Sequence, residues 1–337
     1  MQEDTVVKGR LVYANPERVI AARGTHVLES FDSGNTWRHL GRLPVGRKAG
    51  MLLADRRLRR LLRMGVHHLE VGDTWSLLIA NKTAFRLDGS TIEPLGPVEG
   101  SRPLALCRDE DAFYYGEYRP NPERTPVHIW QWRADGRQWE RVWQFTGVRH
   151  VHGVFLDPYT DVLWVTTGDD DEEAGIWRTN DGFSSLVRVV GGSQQFRAVQ
   201  LLFTRDHVYF GSDAPDRQNH IYRMDRQGKS IEALTTVGGP IFYGCRVGES
   251  LFFSTAVERS RVNAGRHAEV WGSADGVNWK IVRRFRKDIW PMKYFQYGQV
   301  LFPDGPGDRR HLWLTPMATE YDQETLKIPV REIFAVG

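Results

Sequence analysis

The stretch that decides the fold is Ser30-Phe31-Asp32-Ser33-Gly34-Asn35-Thr36-Trp37. It joins turn formers to a terminal aromatic, and it recurs. Ser273-Ala274-Asp275-Gly276-Val277-Asn278-Trp279 is a second copy. Arg133-Ala134-Asp135-Gly136-Arg137-Gln138-Trp139 and Thr179-Asn180-Asp181-Gly182-Phe183 are looser ones. Leu87-Asp88-Gly89-Ser90 and Met224-Asp225-Arg226-Gln227-Gly228 are more degenerate. Taking the Asp as marker, the copies stand at 32, 88, 135, 181, 225 and 275, between 44 and 56 residues apart. A period of roughly 45–50 residues matches one four-stranded blade of a β-propeller.

The chemistry of the repeat is that of a hairpin turn. Asp or Asn followed by Gly suits the positive φ of tight strand connections. The carboxylate can accept backbone N–H bonds across the turn, and the Trp is large enough to pack between neighbouring sheets. Strand-like runs such as His128–Trp132 and Gln138–Trp143 flank a copy on both sides.

These residues resemble the Asp-box, or BNR, repeat (Ser-x-Asp-x-Gly-x-Thr-Trp) of sialidases and many other propellers. The resemblance implies a bracing role for each marked Asp, at the turn between the third and fourth strands of a blade. It stops at the repeat. Sialidases place an Arg-Ile-Pro tripeptide before their first Asp box, where this chain reads Glu17-Arg18-Val19-Ile20. Their Tyr–Glu nucleophile pair has no counterpart by motif.

Composition narrows the classes. The 337 residues are 41% hydrophobic and 26% charged, which excludes wholesale disorder. No apolar run approaches the roughly 18–20 residues of a membrane helix. Lys and Arg total 45 against 42 Asp and Glu, a balance that argues against nucleic acid. The basic run Arg56-Arg57-Leu58-Arg59-Arg60 reads as a solvated strand or loop face. Only Cys107 and Cys245 occur, so neither a disulfide scaffold nor a Cys-x-x-Cys zinc site is expected. Met1-Gln2-Glu3-Asp4 lacks the features of a secretory signal, which reads as cytoplasmic, with a trimmed export signal as the alternative. No phosphate-binding loop, His-Glu-x-x-His or Gly-x-Ser-x-Gly motif is present.

The expected architecture is all-β, a single propeller domain over 1–337 with six four-stranded blades. The tail carries strand candidates at 295–302, 311–316 and 325–330. Closure of the ring by both termini leaves six blades; the alternative is a seventh, unmarked one. Strand order places the start of each first strand, and the loop after each second strand, opposite the marked turns.

That face is the loaded one, since binding residues favour loops on a rigid scaffold. Starts of first strands supply Arg102, Arg149, His150, His152, Gln195, Arg197, Tyr243 and Lys293. Loops after second strands supply Asp213, Glu258 and the five-acid run Asp169–Glu173, which reads as a solvated loop or a calcium loop. Alternation along a strand aims His150 and His152 the same way and Val151 the other.

The inventory suggests a glycan-active enzyme on an anionic saccharide. Arg102, Arg149, Arg197 and Lys293, with Gln195 and Asp213, form the substrate-binding set, Arg favouring bidentate carboxylate contacts. His150, His152, Tyr243 and Glu258 form the catalytic set. β-Elimination of a uronate fits slightly better than hydrolysis, because paired acids on inner strands are scarce. Calcium apart, no metal or other cofactor is expected, nor a nucleic-acid or membrane partner. The alternative is a non-catalytic module binding a polysaccharide or protein.

Overall fold

The structure, a computed structural model, describes residues 5–335 apart from 111 and 134. The N-terminal Met1–Asp4 read for an export signal, and Ala134 of the third turn copy, lie outside the described residues. Seven four-stranded antiparallel sheets form. In chain order the blades span 10–42, 66–97, 107–145, 150–191, 198–237, 241–286 and 299–329, the last joined by 5–8. The fold is an all-β propeller with seven blades, not the expected six.

The miscount has a definite cause. All six marker aspartates fall where expected, between the third and fourth strands of successive blades. The seventh blade has no such turn, because its fourth strand is N-terminal. Thr5–Lys8 pairs antiparallel with Glu324–Pro329, Thr5 opposite Lys327 and Lys8 opposite Glu324. The two termini do share a blade, but that blade is additional. A turn motif cannot mark a junction the chain never makes.

Two marked turns use the same hydrogen bonds, and a third uses a variant of them. The Ser30 hydroxyl donates to Asp32 Oδ1 at 2.7 Å, the Thr36 N–H to Oδ1 at 2.8 Å and the Thr36 hydroxyl to Oδ2 at 2.6 Å. At Asp181 the donors are Thr179 Oγ1, Ser185 N and Ser185 Oγ, at 2.7, 2.9 and 2.6 Å. At Asp275 they are Ser273 Oγ, the Val277 and Asn278 N–H groups and Asn278 Nδ2. The Thr36 and Ser185 donors hold Asp32 and Asp181 each down to about 2. Asp88 and Asp135 instead face the arginines two residues before them.

The chain divides into two compact units. Unit 1 (1–97, 243–257 and 266–337) carries blades one, two, six and seven, and unit 2 (98–242 and 258–265) carries blades three, four and five. In unit 2, Val127, Ile129, Val151, Val154 and Val165 build one apolar cluster, and Trp164, Leu201 and Phe210 anchor another.

Between blades one and two the sequence departs from strand. Helix α1 (Arg47–Ala54) is followed by α2 (Arg56–Leu62), and α2 holds the basic run Arg56–Arg60, which is helix and not the expected strand or loop face. Asp55 caps α2, its carboxylate accepting from the N–H groups of Arg57 and Leu58 at 2.8 Å. Among the described residues no helix is long and apolar enough to cross a membrane.

Candidate functional site

Blade four opens with the strand His150–Asp157. Its pairing with Val162–Gly168 shifts register between Val151 and Gly153, a bulge that contains His152. Val151 is fully buried in the apolar cluster, while both histidines face the other way. Their ring centroids are 5.0 Å apart. The two histidines share a side, although the bulge at His152 interrupts strict alternation.

Both rings turn toward Asp169, the residue after the second strand of the same blade. His150 Nε2 lies 3.1 Å and His152 Nε2 3.6 Å from Asp169 Oδ1. Arg197, at the start of blade five, brings Nη2 to 3.0 Å from the same oxygen. Arg149 Nη1 takes Oδ2 at 3.1 Å. The crowding depends on Gly168, where an added Cβ would sit 2.9 Å from His152 Cε1 and 3.1 Å from Arg197 Cγ. Burial pushes the Asp169 carboxyl up, but hydrogen bonds from His150 and His152 and the charge of Arg197 outweigh it, holding it well below the usual carboxylate range.

Arg197 continues the chain of charges, its Nε lying 3.2 Å from Asp213 Oδ2. Asp213 is buried, and its Oδ1 has no hydrogen-bond partner. Burial raises its carboxyl, Arg197 opposes, and the charges of Glu258 and Asp169 raise it further, to about 7. His152 moves the other way: burial lowers it. Its Nδ1 donates to the Ala198 carbonyl at 2.9 Å, and its Nε2 faces Asp169.

A depression of about 340 Å³ lies beside this cluster, lined by the acids Asp169, Asp170, Asp171, Glu172 and Asp216 together with Gln194, Arg197, Pro215 and Arg217. Sequence reasoning chose Gln195; Gln194 lines the depression, its Nε2 donating to the Asp169 carbonyl at 2.6 Å. Tyr118 was also passed over, although it follows the second strand of blade three. Its ring centroid is 4.3 Å from that of His150. The usable signal was an acid directly after the second strand of three successive blades: Glu117, Asp169 and Asp213. Glu117 pairs with Arg119 at 2.7 Å and His128 at 3.1 Å.

The remaining expected residues fall elsewhere. Tyr243 and Lys293 belong to unit 1, Tyr243 packing partly buried against its apolar cluster and Lys293 sitting in a short helix, α3 (Met292–Phe295). Arg102 lies half-buried ahead of blade three, outside the residues lining the depression. Glu258 belongs to unit 2, and its charge reaches both Asp213 and Arg197.

The five-acid run is neither a bare solvated loop nor a set of uncommitted oxygens. Arg124 bridges Asp170 and Glu173, and Arg217 Nη2 meets Asp171 at 3.0 Å. Glu173 also accepts the N–H groups of Arg149 and Asp169, at 2.9 and 3.1 Å. A calcium ion would have to displace guanidinium groups here. Among the described residues, the group spaced to hold a metal is His150, His152 and Asp169, with ligand atoms within 4.8 Å of one another.

No protein-family model matches the sequence, and no curated protein matches it. Solved structures do match in fold. An oligogalacturonate lyase in complex with manganese aligns with a TM-score of 0.65 at 9% identity, covering 98% of this chain and 92% of that one. A chain of the mitotic checkpoint complex aligns at 0.59 and 12% identity, covering 97% and 94%. A prolyl endopeptidase aligns at 0.58 and 12%, covering 93% of this chain and 46% of that one. At these identities the likeness shows the propeller fold and no more.

Proposed function

We propose that the protein is a carbohydrate-active propeller acting on a carboxylate-bearing saccharide, by β-elimination in preference to hydrolysis. The observation that carries this reading is the convergence of His150, His152 and Arg197 on one oxygen of Asp169. It gathers a base, its orienting carboxylate and a guanidinium beside an open depression.

The roles follow from the contacts. Arg197 and Arg217 line the depression, and on exchanging Asp169 and Asp171 for the substrate carboxylate they would neutralise it, which acidifies the adjacent C–H. His150, oriented by Asp169, takes that proton as the base. The C–O bond β to the carboxylate breaks, a carbon–carbon double bond forms, and the departing oxygen would take a proton from the hydroxyl of Tyr118, whose ring packs against that of His150. The neighbour named an oligogalacturonate lyase supports the reading by analogy of fold only.

The donor set also fits a divalent metal by type. His152 Nδ1 is pinned to a backbone carbonyl, which is the outer contact that metal-bound histidines use. His150, His152 and Asp169 would hold the ion, competing with Arg197 for Oδ1, and the ion would supply Lewis-acid polarisation of the substrate carboxylate. The steps above rest on the side chains alone.

Hydrolysis is the second reading, favoured by one observation: Asp213, raised to about 7 beside Glu258, has the poise of a carboxylic acid in a paired-acid mechanism. The test is incubation with uronate oligosaccharides, with and without Mn²⁺. New reducing ends with ultraviolet absorbance of an unsaturated product support elimination, and reducing ends without it support hydrolysis. Binding without turnover on any acidic saccharide overturns both.

A further inference from the structure

Helix α2 is amphipathic the wrong way round for a helix on a solvated surface. Arg60 is buried, its Nη1 lying 2.6 Å from Asp288 and 3.4 Å from Asp322, and its Nη2 donates to the Phe295 carbonyl at 2.8 Å. Arg59 is held by Gln323 and by the Leu53 carbonyl. Leu58, Leu61 and Leu62, at the i, i+3, i+4 spacing of one helical face, stand in solvent. Met51 of α1 is 74% exposed beside them in sequence, and Leu53 takes the core position.

The neighbouring segment 288–297 of unit 1 adds to this surface. Ile289 is 95% exposed, and Trp290, Tyr294 and Tyr297 are exposed with it. Arg57 lies over the Trp290 ring at 5.8 Å, which joins α2 to that segment. Most of the exposed charge around the apolar residues is positive. Arg47, Lys48, Arg56, Arg57, Arg63 and Lys293 are exposed. The acids nearby are engaged: Asp55 caps α2, Asp288 is held by Arg60 and Lys287, and Asp322 by Arg60 and Arg56.

We infer that this face of unit 1 docks on an anionic phospholipid surface. Exposed Leu, Ile and Met can enter the acyl boundary, Trp and Tyr suit the headgroup level, and the cation ring matches a negative leaflet. A sugar chain would use the aromatic rings and the cations but would leave Leu58, Leu61, Leu62 and Ile289 wet, so the aliphatic residues favour lipid. The inference departs from the sequence expectation of no membrane partner, and it is independent of the chemistry proposed for unit 2.

The experiment is co-sedimentation of the full chain with vesicles of equal parts phosphatidylserine and phosphatidylcholine, against phosphatidylcholine alone. Binding should favour the anionic vesicles and fall as salt is raised. Arg57→Glu with Lys293→Glu should weaken it by roughly tenfold or more. Leu61→Ser with Leu62→Ser, exposed positions whose replacement leaves the core intact, should weaken it at constant charge, with unchanged circular dichroism. Equal binding to both vesicle types, no binding, or full binding by the Leu61→Ser/Leu62→Ser variant overturns the inference.

Discussion

The His152 ring of blade four donates from Nδ1 to the Ala198 carbonyl of blade five at 2.9 Å. One hydrogen bond thus ties two blades of unit 2 together and fixes which imidazole nitrogen faces Asp169. A residue chosen from sequence as catalytic is therefore also a structural pin, almost fully buried.

His152→Ala should lower stability by about 2 kcal/mol, since it leaves a buried carbonyl without its donor and opens a void. Calorimetry reads the loss, and a midpoint within a degree of wild type would show that the pin carries no load.

Asp169→Asn keeps the volume but removes the charge that Arg149 and Arg197 share. Two guanidinium groups are then left against His150 with no anion between them. We expect a loss of about 3 kcal/mol in urea unfolding, together with loss of turnover on any saccharide the wild type cleaves.

Asp213 gives a pH dependence of definite sign. Its folded value of about 7 lies above the ordinary 3.8. Its protonated form is thus favoured by folding, so this stability is fully present below pH ~4 and is lost as pH rises through ~7. Thermal midpoints of Asp213→Asn should show a shallower decline across that window than wild type. Parallel profiles would mean that Asp213 does not titrate there.

The marked turns behave in the opposite sense. Asp32 and Asp181, each held near 2 by hydrogen bonds, contribute stability above pH ~4 that is lost as pH falls through ~2. The double variant Asp32→Asn with Asp181→Asn should unfold at higher pH in an acid titration followed by tryptophan fluorescence, wild type persisting further into acid.

Gly116 ends the second strand of blade three against blade four. An added Cβ would lie 2.3 Å from Val151 Cγ1 and 2.6 Å from its Cβ. Gly116→Ala should therefore cost about 1–3 kcal/mol by overpacking. Combining it with Val151→Ala should recover part of that loss, since the clash is with one side chain; no recovery would place the strain in the backbone instead.

The sequence by itself determined the repeat, the six marked turns and the strand order, because a turn is local chemistry. Ser30, Asp32 and Thr36 satisfy one another within seven residues, whatever the rest of the chain does. It also determined that His150 and His152 share a face, which a two-residue period requires. Everything that joins residues distant along the chain was left to the tertiary structure. The seventh blade needed the pairing of Thr5–Lys8 with Glu324–Pro329, which no turn announces. Asp169 read as the first acid of a loop, and only the approach of Arg197 from the next blade makes it the centre of the cluster. The arginines of α2 read as solvated for the same reason. Their partners Asp288 and Asp322 lie more than 200 residues away, and only folding brings them close enough to draw Arg60 inward and leave the leucines outside.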